Sequence, residues 1–341
     1  MTDPPAATDD ARSLAGGRLY GALNVLGVYG LVAVLFAAGC AISREFLTVE
    51  NLLNALRAVT LMGIVSVGVA FITYSRHYVD LSIPGIMALS GTVAVWALDY
   101  GFAPSLAIGL GAGMLIGLIN GLVVGYLRLN PIIWTLAMMS LLSGLIRWAY
   151  AGRQIYPDEA TGAGRAFLAL YHVRVFGLVP LPVAVLIVVA LAGYVLMRWT
   201  AYGQRLRLTG SSYEVARLTG MNVRRVVAGA FVMSSAASAA AGILLTSFNK
   251  VGAVYIGEGY DFKTITAVVL GGVTLAGGRG TIAGVLGGVL VIALMNNVMS
   301  LVRIGDFVIG EFSKNIVQGA VFILVVGIHS YSRRRAGTDD E

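Results

Sequence analysis

Long apolar stretches separated by short polar segments fill the chain from about residue 20 to residue 330. Ten of them come close to the ~20 residues that a helix needs to cross the hydrocarbon layer of a bilayer. They lie at about 20–42, 55–75, 82–98, 104–126, 132–150, 180–198, 226–248, 262–276, 281–300 and 311–330. The pattern predicts an all-α polytopic membrane protein with about ten transmembrane helices, in which the short stretch 262–276 is tilted or broken.

Polar residues close both ends of this region. Residues 1–18, with Pro4-Pro5 and Asp9-Asp10, predict a disordered tail. Residues 332–341 predict a second tail, after a transmembrane domain at 19–331. An even number of crossings puts both tails on one side, where more than half of the 24 Lys and Arg residues also fall. Because basic residues are retained in the cytoplasm, we expect both termini there.

The densest basic segment is 198–226, between two apolar stretches. The sequence from Glu214 to Leu218 favours a short helix, which Gly220 is placed to end, and Gly210 and Gly220 permit tight bends. Glu214 is the only acidic residue among six arginines, Arg198, Arg205, Arg207, Arg217, Arg224 and Arg225. We expect a cytoplasmic loop that binds a partner, although topology alone accounts for each arginine taken singly.

Composition supports the membrane class. Of the 341 residues, 57% are hydrophobic and 12% are charged, against about 25% charged in a soluble domain. The net charge of +7 does not indicate a nucleic-acid partner, because the basic residues lie between apolar stretches and form no continuous patch.

The chain lacks the sequence motifs of a metal site or of a catalyst. Its single cysteine, Cys40, excludes a cysteine cluster, and its three histidines are far apart. The sequence contains no GxxxxGKS/T phosphate loop, no G-x-S-x-G elbow and no HExxH helix. We therefore expect no metal or cofactor bound by this chain, and no catalytic residue.

Two pairs of segments in the chain resemble each other. The segments 79–91 and 260–272 both have Asp at their second position and end on a small pair, Ser-Gly or Gly-Gly. The segment 115–124 likewise resembles 290–299. The matching stretches are five crossings apart, an odd number, so they run in opposite directions. This predicts an inverted repeat with a pathway at its centre.

Polar residues within or beside the apolar stretches are candidates to line such a pathway: Asp80, Ser82, Asn120, Thr264, Thr274, Asn296 and Asn297. An ionisable group such as Asp80 is costly in a membrane and indicates function, yet Asp80 or Ser82 also precedes Pro84 as a helix cap does. A buried Asn more often bonds a neighbouring helix, and a helical Thr its own backbone.

A series of short motifs runs through residues 50–330 in a fixed order. They are Val79-Asp80-Leu81-Ser82-Ile83-Pro84-Gly85, Ala88-Leu89-Ser90-Gly91, Asn120-Gly121, Asn130-Pro131, Thr135-Leu136, Thr200-Ala201-Tyr202-Gly203, Ala216-Arg217-Leu218-Thr219-Gly220-Met221-Asn222-Val223, Ala267-Val268-Val269-Leu270-Gly271-Gly272 and Gly277-Gly278-Arg279-Gly280. Together they resemble the permease subunits of bacterial ABC importers for sugars of the ribose, galactose and xylose type. The chain departs from that pattern at His77-Tyr78-Val79, where two glycines and an isoleucine are usual, and at Gly203-Gln204-Arg205, where a Gly-Arg pair is usual.

The resemblance implies an ABC importer permease fold in the bacterial inner membrane, surrounded by lipid. It implies three partners: an ABC ATPase that holds ATP and Mg²⁺, a periplasmic sugar-binding protein, and a second copy or a paralogue of the permease. The loop that docks on the ATPase falls on the segment 198–226. Its expected docking residues are Gly203, Gly210, Glu214, Ala216, Arg217, Gly220 and Asn222.

Three other functions stay open. The first is a secondary transporter that needs no ATP; such proteins commonly bury charged residues in mid-span, whereas most stretches here lack charge. The second is an ABC permease for branched-chain amino acids, against which Asp80-Leu81-Ser82 favours sugars. The third is a membrane-bound assembly protein without a transport role.

Overall fold

The computed structural model describes residues 7–76, 79–304, 307–308 and 310–336. Helices make up most of this part of the chain, which confirms the all-α class. The α-helices are α1 (Ala7–Ile42), α2 (Val49–Tyr74), α3 (Ile83–Trp96), α4 (Phe102–Leu122), α5 (Pro131–Ala149), α6 (Gly162–Leu170), α7 (Leu181–Trp199), α8 (Ala201–Ser211), α9 (Tyr213–Leu218), α10 (Val223–Asn249), α11 (Tyr260–Leu270), α12 (Ile282–Leu301) and α13 (Glu311–Ala336). Two antiparallel hairpins lie in loops: β1 (Arg174–Val175) pairs with β2 (Val179–Pro180), and β3 (Arg303–Ile304) with β4 (Phe307–Val308).

Eight of the described helices are long and apolar enough to cross a membrane: α1, α2, α3 with its extension to Tyr100, α4, α5, α7, α10 and α12. The 26-residue α13 corresponds to the last predicted stretch. By contrast, α11 has 11 residues and extends about 16 Å, roughly half of the hydrocarbon thickness. The predicted stretch 262–276 is therefore broken: its helix ends at Leu270, and Gly272 adopts a φ of 83°.

The described helices extend further towards the chain ends than the sequence predicted. α1 begins at Ala7, inside the segment 1–18 that was expected to be disordered, and α13 continues to Ala336, inside the tail 332–341. Adding a residue to an existing helix costs little once the helix is nucleated, and no proline interrupts either extension. Residues 1–6 and 337–341 lie outside the described residues, as do His77 and Tyr78.

Helix α10 lies at the centre of the bundle and packs against α2, α3 and α4. Further out, α1 packs on α12, and α7 packs on α2. The buried face of α10 is rich in small residues: Ala228, Ala230, Ser234, Ser235, Ala237, Ser238, Ala239 and Ala241. In lipid the hydrophobic effect does not drive helices together, so close van der Waals contact of this kind holds the bundle.

Glycines recur at every fourth position along α4; the first lies mainly against α3, and the others lie against α10. They are Gly109, Gly113, Gly117, Gly121 and, just past the end of the helix, Gly125. A methyl group at Gly121 would lie 2.6 Å from the Cα of Ala228, and one at Gly125 would lie 2.9 Å from the carbonyl oxygen of Arg224. The two chain segments therefore touch backbone to backbone from Gly117 to Gly125, at the end of α4.

The helix packing confirms the inverted repeat, with α2–α5 as one unit and α10–α13 as the other. α3 packs on α4, α5 and α10, as α11 packs on α12, α13 and α2. Equivalent glycines make equivalent contacts. A methyl group at Gly109 would lie 2.7 Å from the carbonyl oxygen of Ser90, and one at Gly284 would overlap that of Gly271, the residue that the sequence similarity pairs with Ser90.

The two units run in opposite directions. The Arg57 guanidinium, near the start of α2, lies 5.7 Å from the ring centre of Phe248, near the end of α10. Further along α2, Gly68 contacts Ser234, which lies earlier in α10. Because α2 and α10 occupy the same position in their units, their antiparallel arrangement makes the repeat an inverted one.

We expect Gly121→Ala to destabilise the protein by about 1–3 kcal/mol, because the added methyl group forces α4 and α10 apart. Thermal unfolding in detergent measures the effect. The matched control is Gly111→Ala, on the same helix, where a methyl group meets nothing within 4 Å. Equal unfolding temperatures for the two variants would contradict the role assigned to the glycine contact.

Candidate functional site

The basic segment 198–226 folds into two short helices, α8 and α9, between the membrane-spanning helices α7 and α10. A side chain caps the start of α8, of α9 and of α10. Thr200 Oγ1 accepts a hydrogen bond from Gly203 N (3.2 Å), Ser212 Oγ from Val215 N (3.3 Å), and Asn222 Oδ1 from Arg225 N (3.2 Å). The short helix predicted from Glu214 is α9, and Gly220, with a φ of 74°, follows its end as predicted. We call residues 200–222 the docking segment.

The outer face of α9 mixes charged and apolar side chains. Glu214 and Arg217 are exposed, and no ion pair joins them in the described part of the chain, so both charges are available to a partner. Leu218 and Val215 beside them are 83% and 48% exposed. Ala216 is fully buried on the opposite face and fixes α9 against the body of the protein.

Buried contacts anchor the docking segment to the membrane-spanning helices. Tyr202 Oη donates to the carbonyl oxygen of Val226 (2.9 Å), and burial raises the pKa of Tyr202, so this phenol stays a neutral donor. Gly203 lies directly on the backbone of Met197, at the α7–α8 corner. Gly210 does not form the predicted bend: it lies within α8, where its lack of a side chain permits close contact with the carbonyl oxygen of Tyr74.

A buried polar cluster lies where α3, α4 and α5 meet. Asp80 Oδ1 accepts from the backbone amide of Ser82 (2.8 Å) and from its hydroxyl. Asn120 Nδ2 donates to Ser82 Oγ (2.9 Å), and Trp134 Nε1 donates to Asn120 Oδ1 (2.9 Å). Leu81 N donates to Thr135 Oγ1 (2.9 Å). The cluster thus connects the start of α3 to one residue of α4 and two of α5.

The fold and these sites can be compared with known proteins. The chain matches the family model described as "Branched-chain amino acid transport system / permease component" over residues 51–326. This chain belongs to that family. It is 32% identical to the L-arabinose ABC transporter permease protein AraH of Azospirillum brasilense, over 97% of this chain and 94% of the relative.

Two further relatives cover similar shares of the permease. The ribose import permease protein RbsC of Bacillus subtilis is 32% identical, over 90% of this chain and 92% of the relative. The xylose transport system permease protein XylH of Escherichia coli is 27% identical, over 91% of this chain and 92% of the relative. No solved structure matches the permease significantly.

Three of the predicted pathway residues of the permease, Asp80, Ser82 and Asn120, are brought together in the buried polar cluster. All three are fully buried, so in this conformation they join helices and do not line an open channel. Asp80 accepts from the amide of Ser82, the residue before α3, and does not bond an amide inside the helix. Its second oxygen, Oδ2, has no hydrogen-bond partner among the described residues.

The other four predicted pathway residues also make contacts within the permease. Thr264 Oγ1 donates to the carbonyl oxygen of Tyr260 (2.6 Å), and Thr274 Oγ1 to that of Gly277 (2.9 Å). The side-chain amides of Asn297 and Asn51 of α2 form two hydrogen bonds with each other (2.7 and 3.0 Å). Asn296 Oδ1 accepts a hydrogen bond from Gln318 Nε2 of α13 (2.6 Å). These hydrogen bonds support the alternatives in which the asparagines join neighbouring helices and the threonines bond nearby backbone carbonyls.

Sequence reasoning missed the partners of these residues. Nothing in the sequence identifies Trp134, Thr135, Asn51 and Gln318 as these partners, because a partner is defined only by the packing. It also missed an open groove of about 360 Å³ between α11, α12 and α13, which combines amide, ammonium and aromatic side chains, including Lys263, Asn315, Gln318, Phe262 and Phe322.

We expect Asn120→Ala to lower stability and solute uptake together. The change leaves the half-buried Trp134 indole N–H without its acceptor, at about 1–3 kcal/mol for an unsatisfied group, and removes the amide that donates to Ser82 Oγ, which keeps its bond to Asp80. Thermal unfolding in detergent and uptake are measured on the same preparation, with Asn54→Ala as the control, because Asn54 is exposed. Lost uptake at an unchanged unfolding temperature would instead assign Asn120 to solute contact.

Proposed function

We propose that this permease is the membrane subunit of an ATP-binding-cassette importer that carries a monosaccharide across the bacterial inner membrane. One observation carries the proposal: the similarity to permeases for L-arabinose, ribose and xylose extends over 90% or more of this chain. These three sugars are pentoses, so a five-carbon aldose is the first substrate class to test.

The docking segment supports an ATPase partner. Exposed apolar side chains on a cytoplasmic loop have no lipid to face, and Leu218 with Val215 between Glu214 and Arg217 is suited to a mixed protein interface. The sequence has no phosphate loop, so ATP and Mg²⁺ belong on the partner. A periplasmic binding protein delivers the sugar on the opposite face, and a second copy or a paralogue of the permease completes the pathway.

Transport in this proposal is alternating access. ATP binding by two ATPase subunits moves the docking segments, and the motion changes which side of the membrane the pathway faces. The groove between α11, α12 and α13 is a candidate place for the sugar: its lining is largely apolar but includes Lys263, Asn315 and Gln318, and it lies in the half of the protein away from the docking segment. Hydrolysis of ATP resets the cycle.

Reconstitution tests the proposal against an ATP-independent secondary transporter, over which the relatives favour an ABC permease. We expect proteoliposomes that contain the permease, its ATPase and its binding protein to take up L-arabinose, D-ribose or D-xylose only when ATP is supplied. Uptake by the permease alone, without nucleotide, would establish the alternative. Uptake of leucine in place of a sugar would support the branched-chain amino acid function.

In the same assay, Leu218→Glu should prevent co-purification of the ATPase and reduce sugar uptake, because it puts a charge where an apolar contact is expected. Leu178→Glu is the matched control: Leu178 is 80% exposed but is separated from the docking segment by one membrane crossing, α7. If both variants retained the ATPase equally, α9 would not be its binding surface.

Orientation is tested with the same two positions. We place the docking segment and both termini in the cytoplasm, on the distribution of basic residues. In a Cys40→Ser background and in cells without the ATPase, a membrane-impermeant maleimide should label Leu178→Cys in intact cells, and Leu218→Cys only after permeabilisation. The reverse pattern would invert the topology.

A further inference from the structure

The two inverted units of the permease differ between α3 and its counterpart α11. In the first unit, α3 continues past Ser90 and Gly91 to Trp96 and then through a 3₁₀ turn to Tyr100. In the second unit, α11 stops at Leu270, just before the equivalent glycine pair, and residues 271–281 form a loop. We call these residues the glycine loop.

The glycine loop has a defined shape. Thr274 closes it from within: its amide donates to the carbonyl oxygen of Arg279 (3.2 Å), and its hydroxyl donates to that of Gly277 (2.9 Å). Positive φ angles, which favour glycine, occur at Gly272, Gly277, Gly278 and Gly280. Its end is also held, because Thr281 Oγ1 accepts from Gly284 N (3.0 Å) at the start of α12.

This loop touches the docking segment through bare backbone. Gly278 N donates to the carbonyl oxygen of Tyr74, the last residue of α2 (3.0 Å). A methyl group at Gly210 of α8 would overlap both that oxygen and the Gly278 amide. One at Gly278 would lie 2.8 Å from the amide nitrogen of Ser211. Three segments, from α2, α8 and the loop, therefore meet with no side chain between them.

A contact of this kind leaves no room for independent motion, since close-packed groups transmit displacement and do not absorb it. The loop directly follows α11 in the chain. α11 forms one wall of the groove through Phe262, Lys263 and Thr266. We propose that the glycine loop is the relay that passes displacement of the docking segment to the half-helix α11, and that Thr274 is a positioning residue which keeps the loop rigid. This rests on the proposed function.

The test compares Thr274→Val with Thr274→Ser in the reconstituted importer. Valine has the shape of threonine but cannot donate to Gly277, whereas serine can. We expect Thr274→Val to lower sugar transported per ATP hydrolysed by roughly fivefold or more, with the half-saturating sugar concentration unchanged and ATP hydrolysis retained. Thr274→Ser should restore the ratio.

Other outcomes overturn the relay. An unchanged ratio in Thr274→Val removes Thr274 and the loop from coupling. A raised half-saturating sugar concentration at an unchanged ratio makes Thr274 a sugar contact instead. If the wild-type importer shows no ATP-dependent uptake, the proposed function itself fails, which the wild-type sample reveals separately.

A second pair of variants covers the case in which Thr274→Val does not assemble. Gly278→Ala puts a methyl group between the loop and Ser211, and Gly177→Ala carries the same backbone strain, with a φ of 71° against 73°, but meets nothing within 4 Å. We expect only Gly278→Ala to lower the sugar-to-ATP ratio. Equal ratios for the two variants would exclude the relay.

Discussion

Close approach of helix backbones is the constraint on which this permease depends. Lipid solvates an apolar side chain as well as another helix does, so the bundle is held by contact and not by exclusion of water. Gly113, Gly117 and Gly121 of α4, with Gly125 just past its end, provide that contact with α10. The docking segment has the same kind of contact at Gly203 and Gly210, where α8 lies directly on the ends of α7 and α2.

The inverted repeat uses the same helix contacts twice, and the two units differ between α3 and α11. Gly109 and Gly284 perform the same task in the two units, on equivalent half-helices. If the two units were identical, a displacement of the docking segment would affect both of them equally. The second unit differs because α11 ends early and the glycine loop that follows it reaches the docking segment. In the proposed relay, displacement of the docking segment therefore acts on the second unit before the first.

Sequence patterns predicted the class, the repeat and the short helix α9, because each depends on residue type and spacing alone. The broken stretch 262–276 was also visible, since it was too short. The candidate pathway residues show the limit of that reasoning. Asn120 and Asn297 are equally polar and equally placed in apolar stretches, yet one joins a cluster with Trp134 and the other pairs with Asn51. Only packing decides which partner an amide meets. Gly210 was expected at a bend, but glycine serves close contact as well as backbone freedom.

The paired amides of Asn51 and Asn297 have a mechanical consequence. They fasten α2 to α12 near the start of α2, whereas its last residue, Tyr74, touches the docking segment at the far end. The helix has 26 residues and is about 39 Å long. In the proposed transport cycle, a displacement of the docking segment would therefore tilt α2 about the Asn51–Asn297 pair, with the start of the helix held in place.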